Sequence, residues 1–259
     1  MTMKLKNILL PALSILAFTG LRAQDARTIA DKASDVINPG SMEMTSTLKI
    51  YDNKGNVRVR EVSNAMAKFS GTTKTLFKFL LPPDVKGTTI LIYDYENKDD
   101  DMWIYMPSLR KTRRIVATEK GKSFMGSEFS NADMSKPTMS DFTYTLKGNE
   151  TLDGRDCWKL ESKCANAAVE DANGYSRKVA WIEKSTYLTW KIEFYDHADK
   201  LLKVETFGDY RKQAGGKYFA FKLNMQNVQN GRKSEIVINK YQAGSVLKES
   251  AFSATTLGQ

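Results

Sequence analysis

Along most of the chain, apolar and polar residues alternate in short runs broken by turn residues, and a period of two marks strands. MEMTSTLKIY (42–51) leads through Asp52-Asn53-Lys54-Gly55 into NVRVREV (56–62). AKFS, TKTLFKFLL, TTILIYDY (88–95) and, past the polar turn ENKDDD (96–101), MWIYMP continue the pattern. After a gap come SDFTYTLKG, RDCWKLES, YSRKVAWIE, YLTWKIEFYD, KLLKVETFGDY, KYFAFKLNMQN and KSEIVINKY. Asn230-Gly231 between the last two is the strongest hairpin signal, because this pair accepts the positive φ angles of a tight turn. About a dozen antiparallel strands are expected, as in a large curved sheet or barrel. One helix precedes them. Asp25 can cap it, Ala26, Ile29, Ala30, Ala33 and Ile37 form one stripe, and Pro39-Gly40 ends it.

Three strands, around ILIY, MWIYM and VAWI, are apolar on both faces. An antiparallel sheet normally leaves one face to water. Both faces of these strands therefore need cover, either from a helix layer or by lining an apolar cavity.

The gap between MWIYMP and SDFTYTL has another pattern. In KGKSFMGSEFSNADMSKP (120–137), Met125, Phe129 and Ala132 fall at helical spacing, Ser130 and Asp133 form a capping-box pair, and Pro137 stops the segment. A short, broken helix laid across the sheet is expected. It acts either as a plug in the core or as a mobile lid over a cavity.

Composition narrows the class. With 41% hydrophobic and 27% charged residues, the 259-residue chain is ordinary globular protein, and no run reaches the roughly 18–20 apolar residues of a membrane helix. Residues 1–23 read as a signal peptide: Lys4 and Lys6, an apolar run from Ile8 to Phe18, then a cut near Ala23. Residues 24–259 then form a single domain in the periplasm. No cysteine lies near the cut to accept a lipid. Cleavage removes Lys4, Lys6, Arg22 and no acid, so the formal charge falls from +9 to +6. On an exported protein, this mild excess favours a membrane surface or an acidic protein over nucleic acid.

Cys157 and Cys164 would bridge only if a turn separates them. On one strand they point to opposite faces, roughly 23 Å apart. Catalytic signals are weak, and an enzyme is not expected. His197, the single histidine, sits in a turn, DHAD. Paired histidines, zinc spacing, a nucleophile elbow and a phosphate loop are missing from the sequence, so neither metal nor cofactor is expected. The DDD run at 99–101 reads as a turn.

MWIYMPSLRKTRRI (102–115) sets aromatic residues before Arg110, Lys111, Arg113 and Arg114. These cations either meet anionic headgroups or a docking partner, or form a solvated turn that pairs with Asp99, Asp100 and Asp101.

The pattern Asp101-x-Trp103-x-Tyr105-x-Pro107, then Arg110-Lys111-x-Arg113-Arg114-Ile115, then Ser123 to Ser130 and Asp133 resembles the outer-membrane lipoprotein-sorting family, related to the LolA and LolB carriers. CWKLES (157–162), WIEK (181–184) and EFYDHADKLLK (193–203) extend the likeness over most of the chain. The resemblance implies a mainly β (α+β) fold: a strongly curved antiparallel sheet forming an incomplete barrel, with helices over its open side. It also implies an apolar cavity for lipid or lipoprotein acyl chains. Members of this branch often accompany inner-membrane exporters of the RND or MMPL type. A sensor, or a non-transporting accessory subunit of such an exporter, is the alternative reading.

The physics suits a carrier. Stripping a sixteen-carbon chain from a membrane costs on the order of 12 kcal/mol, at about 0.8 kcal/mol per methylene. A cavity that surrounds the chain offsets this, whereas a surface patch does not. Met102, Met106, Met125, Met134 and Met139 cluster in this region, and flexible methionines suit variable cargo. The expected cavity and lid residues are Trp103, Tyr105, Phe124, Met125, Phe129 and Met134. Arg110, Arg113 and Arg114 are expected to contact a headgroup, a partner or, transiently, the membrane surface.

Overall fold

The computed structural model describes residues 16–96 and 98–258. The basic start of the expected signal peptide and most of its apolar run (1–15) lie outside the described residues. Helix α1 runs Leu16–Val36, so it begins before the expected start at Asp25 and contains the expected cut. Among the described residues, no helix is long and apolar enough to cross a membrane.

The alternating segments form thirteen strands among the described residues. The first six are β1 (Ser41–Tyr51), β2 (Val57–Phe69), β3 (Thr72–Leu81), β4 (Thr89–Asp94), β5 (Asp101–Met106) and β6 (Lys111–Ile115). NVRVREV and AKFS are thus one strand, and the basic run is itself a strand. Then come β7 (Phe142–Leu152), β8 (Arg155–Cys164), β9 (Arg177–Glu183), β10 (Thr189–Tyr195), β11 (Leu201–Lys212), β12 (Tyr218–Asn227) and β13 (Lys233–Ala243). Two short helices, α2 (Ala117–Lys120) and α3 (Ala167–Asn173), lie between strands.

All pairings are antiparallel in one sheet, ordered β6-β5-β4-β3-β2-β1-β13-β12-β11-β10-β9-β8-β7. Strands β1–β6 form a meander out to one edge, and β7–β13 form another that starts at the opposite edge. The first and last strands close the seam in the middle, with a bulge between Thr45 and Ser46. Residues 116–141 run from one edge strand to the other and cross the open side.

The curvature follows from who shares the core. Laid flat, thirteen strands would span roughly 58 Å at about 4.8 Å per gap. Yet Ile115 on one edge and Phe142 on the other belong to one buried cluster. The sheet is therefore bent round a common interior but not closed, because β6 and β7 do not pair. This is the expected incomplete barrel.

Alternation sets the inner wall: Leu48 and Ile50 on β1, Val62 on β2, Phe77 and Phe79 on β3, Ile90 and Ile92 on β4, Met102 and Ile104 on β5. Helix α1 covers the β7 side with Ala26, Ile29 and Ala33, packed near Phe142 and Tyr144. Small residues on that stripe let the helix lie close to the sheet.

The outer face of the aromatic strands has a different cover. Tyr93 and Trp103 stack edge to face with centroids 4.9 Å apart, and Tyr93 donates its hydroxyl to the Phe252 carbonyl. Phe252 is 1% exposed and packs on Phe69 at 5.4 Å. Gly258 lies so close to the Tyr105 ring that any side chain there would collide with it. The C-terminal segment is thus the second cover for β4 and β5. On β9, Val179 and Trp181 form a small outer cluster with Cys157, roofed by the Lys159 and Lys191 side chains. Cys157 and Cys164 are free, buried and on opposite faces of β8.

Candidate ligand-binding site

The crossing segment fills one end of the interior. Phe124 and Phe129 are 3% and 2% exposed, and Phe124 lies 5.5 Å from the Phe77 ring. The segment is not the expected helix but a tight reversal. Phe124 N–H donates to the Phe129 carbonyl at 2.7 Å, and Ser123 bridges Ser130. Met125 at φ 52° and Gly126 at φ 82° are left-handed, which ends any right-handed helix. The Ser127 hydroxyl donates to the Phe124 carbonyl at 2.7 Å and competes with helical bonding. The capping pair is present: Ser130 N–H donates to Asp133, and Asp133 N–H donates to the Ser130 hydroxyl. It starts a single 3-10 turn, Ala132–Met134.

Side chains from several strands hold this segment. Arg60 of β2 donates to the Met125 carbonyl, and Arg232 donates to the Gly126 carbonyl at 2.9 Å. Ser234 of β13 accepts from Glu128 N–H at 3.0 Å. Lys203 of β11 pairs with Asp133 at 2.7 Å. Where the segment meets α3, Gly121 and Gly174 touch backbone to backbone, and neither tolerates a side chain.

Below this contact lies a buried charged group. Burial raises the Asp133 carboxyl, but Lys203 and the Ser130 groups pull it below its ordinary value. Burial, then repulsion from Asp133, pushes Glu205 up to about 8. Burial holds the Lys178 ammonium below its usual range.

The other end of the interior is hollow. A cavity of about 340 Å³ lies between the end of α1 and the inner wall of β1–β4. Its apolar lining includes Ile37, Pro39, Met42, Met66, Met134 and Phe219. Met42 and Met66 face each other across the β1–β2 ladder. Ser34, Thr73 and Thr75 add hydroxyls, and Lys68, Asp94, Glu96 and Lys136 stand at its rim. The volume sits at the low end of the about 300–1,000 Å³ found for small-molecule sites. A second hollow of about 380 Å³ lies beyond Ser135–Pro137, bordered by Asp99, Asp100, Lys120 and Asp141.

Of the six apolar residues expected to face cargo, Met134 lines this cavity. Phe124 and Phe129 are core, and Met125 is in the reversal. Trp103 and Tyr105 point to the outer face, because Met102 and Ile104 take the inner one. Arg113 pairs with Glu119 at 2.7 Å, and Arg114 pairs with Asp101 across the hairpin. Arg110 and Lys111 are exposed at its tip, where Arg110 has φ 48°. Met42, Met66, Phe219 and Asp94 were not foreseen as site residues. Alternation places each on a face, but which face is concave emerges only from the whole sheet.

An open, bent antiparallel sheet of thirteen strands with a cavity against its single long helix, among the described residues, defines the class of fold. The chain belongs to the uncharacterized protein-like family whose model matches residues 71–259. It is similar to an outer membrane lipoprotein-sorting protein domain from Vibrio parahaemolyticus at 27% identity and TM-score 0.85, over 92% of this chain and 100% of that one. A DUF1329 family protein from Desulfovibrio piger matches equally, at 27% identity and TM-score 0.85, over 91% and 99% of the two chains. A LolA superfamily protein from Nitrosomonas europaea shares the fold at 19% identity and TM-score 0.70, over 88% and 97%. No curated protein matches the chain.

Proposed function

We propose that this protein is a periplasmic carrier that takes the acyl chain of a lipid or lipoprotein into the cavity between α1 and the inner wall. One observation carries the reading: the sheet has room against Met42, Met66, Met134 and Phe219, side chains that adapt to a hydrocarbon. The likeness to a lipoprotein-sorting domain supports it. In this reading, residues 1–23 are removed on export, which shortens α1 at its start. The chain binds and releases rather than catalyses. An RND- or MMPL-type exporter is the proposed donor or acceptor, and Arg110 and Lys111, exposed at the hairpin tip, are its proposed contact.

Filling the cavity tests the reading. Met66→Trp should abolish uptake of a fluorescent apolar dye while the far-UV circular dichroism stays unchanged. Unaltered uptake by a folded variant would move the ligand elsewhere. Native mass spectrometry of protein from its own periplasm should show co-purified lipid.

A further inference from the structure

At the rim of this cavity, beside Lys68, Glu96 and Lys136, stands a carboxylate with few partners. Asp94 ends β4 on the inner face, in the same alternating row as Ile90 and Ile92. One of its oxygens accepts the Lys136 N–H at 2.9 Å. Among the described residues, Asp94 forms no ion pair, although cations lie near. Lys68 of β2 is engaged by Glu96 at 2.5 Å, and Lys120 of α2 by Asp100 at 3.8 Å, while the Lys136 ammonium acts on Asp94 from the rim without pairing with it. Helix α1 contributes Ser34, the turn after it Ile37, and β3 Thr73 and Thr75, all uncharged.

Resting on the carrier reading, we propose that Asp94 selects amphiphiles that carry a primary ammonium at the head of the acyl chain. A charge in an apolar wall is costly unless an opposite charge meets it. A ligand ammonium at the rim would supply that charge while its chain lies along Met42, Met66 and Met134. Beside Asp94 a phosphate or carboxylate head brings the wrong sign, and Lys68 is already taken by Glu96, which leaves it only Lys136 at the rim. Burial, then the charge of Asp100, raises the Asp94 carboxyl to about 6, against the Lys136 N–H and the charges of Lys136 and Lys120. Ammonium binding should therefore strengthen as pH rises through about 6, when Asp94 ionises.

The experiment measures displacement of a fluorescent apolar dye by dodecylamine and by dodecanol, a neutral match, at pH 5 and pH 7.5. At pH 7.5 the amine should displace the dye at about tenfold lower concentration, as expected for one charge-assisted contact. At pH 5 this preference should shrink. Asp94→Asn keeps an acceptor for Lys136 N–H and should bind both ligands alike at either pH, while Asp94→Glu should keep the preference. Equal displacement by the two ligands in the wild-type protein, or a preference that survives Asp94→Asn, overturns the proposal and leaves the carrier reading standing. Failure of both ligands to displace the dye overturns the carrier reading itself. A parallel arm with micelles of lysophosphatidylethanolamine, the single-chain form, separates the sources. Stronger displacement than by the amine assigns the ammonium to a phospholipid head, and weaker displacement assigns it to an amine without phosphate beside it.

Discussion

Glu205 shows how one side chain writes a pH dependence into the fold. Its carboxyl is raised to about 8 by burial and by Asp133, against about 4.3 in an unfolded chain. Between those values, the folded protein binds more protons than the unfolded one, so stability falls as pH rises through that window. Glu205→Gln removes this group. Thermal midpoints measured from pH 5 to 9 should flatten and exceed the wild type at the alkaline end, and parallel curves would refute the assignment. Asp133 acts with the opposite sign. Its carboxyl is held low by Lys203, so its contribution is present above the unfolded value and is lost as pH falls through the folded one. Some of this scale was legible in the sequence. The Ser130–Asp133 capping pair follows from spacing, and the opposed cysteines follow from the pleat. The burial of Lys203 and Glu205 was not legible, because it depends on the crossing segment lying over β11.

At the scale of elements, alternation located nearly every strand, and helical spacing misled once. Met125, Phe129 and Ala132 sit at helical intervals, but the left-handed pair Met125-Gly126 breaks the helix between them. Phe129 therefore behaves as core. Phe129→Ala should cost about 3–5 kcal/mol in urea unfolding. A cost below about 1 kcal/mol would restore the mobile-lid reading. Of the basic run, Arg110 lies in the turn, while Lys111, Arg113 and Arg114 belong to β6, an edge strand that the pattern did not reveal. Lys111, Arg113 and Arg114 on an unpaired edge discourage pairing with a second chain. Replacing these three by Val should promote aggregation, seen as a rise in light scattering at 37 °C, whereas a monodisperse variant would leave the cations to docking. The two-sided apolar strands were also legible, but their outer cover was not. Phe252 lies far along the chain from Tyr93 and Trp103, and no local pattern joins them.

For the molecule as a whole, strand number, antiparallel order and open curvature were all expected. The cavity was expected too, but its walls were not. Its lining belongs to β1–β4, β12, the end of α1 and the Met134–Pro137 segment, parts distant in sequence. They meet only because the two meanders join, and one strand's alternation says nothing of which side is concave. This is why Met42 and Met66 were missed while Trp103 and Tyr105 were favoured.

The ladder between β1 and β13 is the one set of strand pairings that joins the two meanders. A chain cut after Arg232 would keep twelve of the strands yet lose the stitch, leaving four raw borders instead of two. During synthesis, neither half can be sewn to the other until the final strand emerges. Damage near the C-terminus, which most proteins shrug off as fraying, should here unmake the whole garment.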